Sequence, residues 1–288
     1  MGVYDGVMFQ ILVCAVVFAA GLVAAGRWGG DEFEPSVFAE QPGAGSAGWA
    51  ARRYLWYATV GMAAGLAGGL VAATGGRLIM RLLAATSSAA AQGRITEADE
   101  VVGRITTEGT VGLVVFVALF SAALTGPTFM LVRHWLPRRW LAGLSFGALA
   151  LSMLATRVEP LRPSNRDFDI VGPDWLAVLT YSLLFLVSGL TLSAVANRYA
   201  RVLPPLSRRP QVLARYAPLL IAVPLIPVLG FIMAGIAVAI ALSRKPFSQV
   251  GTWLTSPRAL LAGRIVLLTV FTVTLPGTVM GIADILQA

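Results

Sequence analysis

Residues 54–76 read YLWYATVGMAAGLAGGLVAATGG, without one Asp, Glu, Lys or Arg. As a helix this stretch rises 1.5 Å per residue, roughly 34 Å in all, enough to cross a hydrocarbon core about 30 Å thick. Its small residues recur every fourth position. Gly61, Gly65, Gly69 and Ala73 form one track, and Gly68, Ala72 and Gly76 a second. Small residues at that spacing let a neighbouring helix backbone approach closely in lipid, where close packing replaces the hydrophobic drive between helices. The pattern predicts a membrane helix at the centre of a bundle. It is no dinucleotide fingerprint, since no strand precedes it and the glycine spacing differs.

Working outward, six further apolar runs lie at 7–25, 110–132, 141–155, 175–196, 217–242 and 265–286. The expected fold is an all-α polytopic bundle of seven transmembrane helices forming a single membrane domain over 1–288. Its main loops are 26–53, 84–109, 156–174, 197–216 and 243–264. The run at 141–155 is short and needs Trp140 as an interfacial anchor to span. Pro218, Pro224, Pro227 and Gly230 interrupt 217–242. Pro224, Pro227 and Gly230 form a candidate hinge, and the run is either a kinked span or a re-entrant hairpin, leaving six spans. The run at 7–25 ends in Ala24, Ala25 and Gly26 like a signal peptide, but no basic residues precede it, so it reads as a retained helix.

Composition agrees. Of 288 residues 57% are hydrophobic and 12% charged, and mean hydropathy is +0.77. Soluble domains carry about 25% charged residues, so an ordinary soluble enzyme is excluded. The net charge of +8 comes almost wholly from arginine, with Lys245 the only lysine. These arginines flank apolar runs, which points to membrane orientation and lipid head groups and away from nucleic acid. Arginine with abundant Ala and Gly fits a GC-rich bacterial genome, hence a plasma membrane. Cys14 is alone, so neither an intramolecular disulfide nor a thiolate metal set can form. No cofactor motif is present.

Strict alternation of the seven runs ties the basic residues at eleven on each side. The loops near 133–140 and 197–216 are purely basic, whereas 94–108 and 157–174 carry Glu97, Asp99, Glu100, Glu108, Glu159, Asp167, Asp169 and Asp174. Placing the purely basic loops inside puts the N-terminus outside. The purely basic 243–264 then falls outside, which strains the alternation.

Chemistry-bearing residues are sparse. Arg77 and Arg81 follow the 54–76 run four apart on one face, suited to a phosphate or lipid head group and equally to snorkelling at the interface. Gly93-Arg94-Ile95-Thr96 recurs as Gly103-Arg104-Ile105-Thr106, which suggests an amphipathic surface segment. With the loop at 157–175 it forms a candidate polar vestibule. Gly143-Leu144-Ser145-Phe146-Gly147 matches G-x-S-x-G upstream of an apolar run's end, and His134 is the only histidine. A serine with a histidine resembles intramembrane serine proteases of the rhomboid type. That family's histidine lies on a later helix, and none follows His134 here, so Gly143 and Gly147 read as a packing pair. The runs at 110–132 and 265–286 share Phe120/Phe271, Leu124/Leu275 and Gly126/Gly277, each set beside a proline, a faint sign of a transporter repeat.

No Asp, Glu, Lys or His lies mid-run, which argues against proton relays, ion-coupled carriers, voltage sensors and retinal counter-ions. The leading expectation is therefore a non-enzymatic complex subunit or self-associating scaffold, contacting membrane lipids and a protein partner or second copy. The alternative is a transporter or facilitator for a neutral or lipid-like solute, favoured by the proline breaks and by the hydroxyls of the runs, Ser121, Thr125 and Thr128, then Thr180, Ser188 and Thr191, then Thr269, Thr272, Thr274 and Thr278. A lipid-modifying enzyme using Arg77, Arg81 and the acidic loops comes third.

Overall fold

A computed structural model describes residues 2–33, 47–104, 106–219 and 256–287. These are helical, with no strand among them: α1 (Gly2–Trp28), α2 (Ala47–Thr86), α3 (Thr107–Phe120), α4 (Gly126–Val132), α5 (Trp140–Leu154), α6 (Asp174–Val202), α7 (Pro210–Arg215) and α8 (Pro257–Gln287). Five segments are long and apolar enough to cross a membrane: Met8–Trp28, Gly48–Thr86, Thr107–Val132, Asp174–Val202 and Pro257–Gln287. Trp140–Leu154 is apolar but shorter. Residues 220–242, with Pro224, Pro227 and Gly230, lie outside the described residues.

Helix α2 is the axis of the bundle and touches α1, α3, α4 and α6. At 40 residues it spans roughly 60 Å, far beyond 54–76. Its extensions, AARR before and RLIMRLLAAT after, are rich in Ala, Leu, Met and Arg, which sustain a helix after hydropathy fades. Residues 47–53 and 84–86 are accordingly helix where loops were expected, and Arg77 and Arg81 lie within α2.

The two small-residue tracks of α2 face different neighbours. A Cβ on Gly65 would lie 2.5 Å from the Ser121 carbonyl oxygen and 2.8 Å from Ala122 Cα; on Gly69 it would meet Ser121 Cβ at 2.6 Å. Gly61 meets Met130 and the Gly126 carbonyl at 3.0 and 3.3 Å. Opposite them α3 and α4 are joined through one π turn, Ser121–Thr125. Pro127 has no N–H to donate back up the helix, and a wider turn there lets the helix continue into α4. Pro276 sits inside continuous α8, so the two proline sites are built differently.

Helices α5 and α6 interlock through glycines: Cβ atoms on Gly143 and Gly147 would meet Leu190 Cα at 2.7 Å and the Phe185 carbonyl at 2.6 Å. Helix α8 is held to α5 by hydroxyls, with Thr274 donating to Ser152 Oγ at 3.0 Å and Thr278 to the Ser152 carbonyl at 2.8 Å. Each such bond contributes about 0.6 kcal/mol in a membrane. Arg157 reinforces the seam by donating to the carbonyls of Ser152 and Thr274.

One end of the bundle gathers the acidic loops. Gln10 donates to Thr107, Ser87 to the Gly172 carbonyl, and Gly281 lies against Thr156 and Pro163. The other end is arginine-rich and tightly packed around Trp56, Phe129 and Leu203, with the fully buried Trp56 indole donating to the Leu203 carbonyl at 2.8 Å. There Gly29 and Gly30 seat Trp140, and Gly263 of α8 lies against Trp135. That last contact corrects the alternating topology. The start of α8, with Arg258 and Arg264, shares an end with 133–139, whereas alternation puts it opposite.

Candidate functional site: an apolar cavity with a charged mouth

A cavity of about 910 Å3 opens among the acidic loops and penetrates between α1, α2, α3, α5 and α6. The second track of α2, Gly68, Ala72 and Gly76, forms part of its wall. Nothing lies within 4 Å of where a Gly76 Cβ would stand. From Arg77 to Gly68 the cavity runs roughly 14 Å along α2, about half the hydrocarbon thickness. Phe116, Phe120, Phe146, Leu184, Phe185 and Leu192 supply its apolar surface. Ser121, Thr125 and Ser188 are the hydroxyls of the deep wall, and Ser188 Oγ is buried without a hydrogen-bond partner among the described residues.

The mouth is charged. Arg77, Arg81 and Arg104 line it with Glu97, Glu100 and Asp167. Arg81 donates to the Gly103 carbonyl at 3.2 Å, and Arg77 Nη1 faces Met80 Sδ at 3.8 Å. Arg77 Nε is buried with no hydrogen-bond partner among the described residues, and its Nη2, like Glu100 Oε1, crowds Gly109. Neither Arg77 nor Arg81 has a salt bridge among the described residues.

Three of the rim's carboxylates, Glu97, Glu159 and Asp167, are engaged elsewhere, while Glu100 lies beside Arg77 at Gly109 and accepts from Thr106 at 3.3 Å. Arg162 binds Glu97 and Glu159, the latter at 3.1 Å, and Asn165 donates to Glu159 at 3.1 Å. The Glu97 backbone N–H donates to Asp167 at 2.8 Å, and that of Arg166 donates to Glu97 at 3.3 Å. Hydrogen bonding from Arg162 holds the Glu97 carboxyl below its ordinary range and raises the Arg162 guanidinium. The loops near 97 and 162 thus form one latched rim. The repeat at Gly93 and Gly103 is a pair of turns and no amphipathic helix. Both glycines have positive φ, 81° and 88°, a region costly for side chains, and Val102 donates to the Arg94 carbonyl at 2.9 Å.

No protein-family model, curated protein or solved structure matches this chain. Geometry alone therefore carries its chemistry. Of the residues singled out in the sequence, Arg77, Arg81, Gly68 and Gly76 come together at the cavity, while Gly61, Gly65 and Gly69 turn away towards α3 and α4. Ser145 and His134 share no hydrogen bond, and His134 lies at the arginine-rich end, where burial and then Arg133 and Arg53 lower its pKa. Sequence reading missed Gln10, Tyr181 and the Glu97–Arg162 latch, which depend on loops and helices meeting far along the chain.

Proposed function

We propose that this chain is an integral membrane binding protein or carrier for a lipid-like amphiphile, held with its chain in the cavity and its head at Arg77 and Arg81. The cavity carries the reading. Its size falls within the roughly 300–1,000 Å3 of ligand sites, and its form suits an amphiphile: apolar depth, and a charged mouth where Arg77 and Arg81 stand outside any salt bridge among the described residues. Walls this apolar favour a lipid-like solute over a neutral polar one. The scaffold reading loses its motive, since Gly61, Gly65 and Gly69 are occupied by intrachain contacts.

The arginine asymmetry orients the cavity. With Arg258 and Arg264 at the other end, eleven against eleven becomes thirteen arginines against seven, Arg244 and Lys245 lying outside the described residues. By the positive-inside rule the arginine-rich end is cytoplasmic, in a plasma membrane, and the N-terminus and cavity mouth face out. Leu219 packs beside Met62, and Gly263 beside Trp135, so the residues flanking 220–255 share one end.

The test is native mass spectrometry of gently extracted protein offered anionic, zwitterionic and uncharged lipids. One anionic lipid should stay bound per chain, and Arg77→Gln with Arg81→Gln should weaken it at least tenfold. A chain that keeps none, or keeps all three classes equally in both forms, excludes the proposal.

A further inference from the structure

The arginine-rich end holds a second basic feature, distant from the cavity mouth. Arg133 follows α4, and its guanidinium carbon stands 3.2 Å from the centre of the Phe33 ring. Phe33 stacks on Tyr57 with centroids 6.3 Å apart, and Arg53 approaches Tyr57 at 5.7 Å and Trp49 at 5.2 Å. Two cations and three rings so form a ladder, Arg133, Phe33, Tyr57, Arg53 and Trp49. Cation–π attraction accounts for the stacking but leaves the guanidinium's in-plane donors unused.

Those donors are the anomaly. Arg133 Nε and Nη1 are both buried and both lack a hydrogen-bond partner among the described residues. Burial pulls this guanidinium down to about 9, which still leaves it charged at neutral pH. The carboxylates described at this end are taken: Asp31 pairs with Arg201, and Glu32 with Arg139 at 3.5 Å. A buried, charged fork with no acceptor is costly enough that native structures almost always supply one.

We propose that Arg133, with Arg53 across the ladder, forms a phosphate site for the head group of a phospholipid at this face of the bilayer. The fork of Arg133 matches two phosphate oxygens, and the adjoining rings suit the boundary between head group and acyl chain. The site is independent of the cavity and of the lipid assigned to it.

The test is thermal unfolding of the full chain in lipid-free detergent with added phosphatidylglycerol, diacylglycerol of the same chains, or inorganic phosphate. Phosphatidylglycerol should raise the Tm by several degrees and diacylglycerol should not. The rise should vanish in Arg133→Met, shrink in Arg53→Gln, and persist in the Arg77→Gln/Arg81→Gln double variant. Arg133→Met removes an unpaired buried charge, so its lipid-free Tm should not fall. A rise with inorganic phosphate alone supports the same phosphate chemistry with a soluble source. Equal rises in Arg133→Met and the native chain, or an equal rise with diacylglycerol, overturn the proposal.

Discussion

Gly263 of α8 lies so close to the Trp135 indole that a Cβ on it would overlap the ring. This contact ties the start of the last long helix to the turn after α4 and fixes which loops share a face. Single cysteines in a Cys14→Ala background report it directly. Arg138→Cys and Arg258→Cys should react with an impermeant maleimide from the same side of sealed vesicles, and Ser164→Cys from the other. Opposite labelling of positions 138 and 258 would restore strict alternation.

The two glycine tracks of α2 separate by substitution. Leucine at Gly65 drives a side chain into the backbone of the π turn and should cost about 1–3 kcal/mol or more, seen as a lower Tm. Leucine at Gly76 enters open space and should leave the Tm unchanged or raised, because leucine is the better helix former. Equal losses at both positions would mean that the tracks are not divided between packing and cavity.

Much of this was legible in the sequence, and the gaps have physical causes. Apolar length marks the long spans, because lipid demands it. It does not mark where α2 ends, since Ala, Leu and Arg sustain the helix beyond the apolar core. The π turn before Pro127 is silent in hydropathy. Gly68 and Gly65 look alike as letters, and only the placement of α3 and α6 decides that Gly65 seats the π turn while Gly68, packed on Leu192 of α6, also reaches the cavity wall. Arg133 reads as one more terminal arginine until Phe33, a hundred residues earlier, is seen beneath it. Alternation misplaces 257–264, which the contact of Gly263 with Trp135 sets at the same end as 133–139.

Acid should loosen the rim before the bundle. Glu97 has its pKa depressed by Arg162, so the contribution of this pair is present above the ordinary Glu value of 4.5 and fades as pH falls through the lower folded value. Protection of the backbone near residues 97 and 162 against hydrogen exchange, relative to the unstructured peptide at the same pH, should therefore fall below about pH 4.5, while Glu97→Gln should show little protection already at neutral pH. Identical pH profiles for the two proteins would show that the latch does not hold the rim.

Occluding the cavity tests the central claim most directly. Gly76→Phe places a ring in open space at the cavity wall, whereas Gly26→Phe on α1, equally free of neighbours, stands outside it. Binding of a fluorescent anionic lipid, titrated into each purified protein at matched Tm, is the measurement. The account predicts native affinity for Gly26→Phe and at least a tenfold loss for Gly76→Phe. Unchanged binding in Gly76→Phe, with the fold intact, would contradict it.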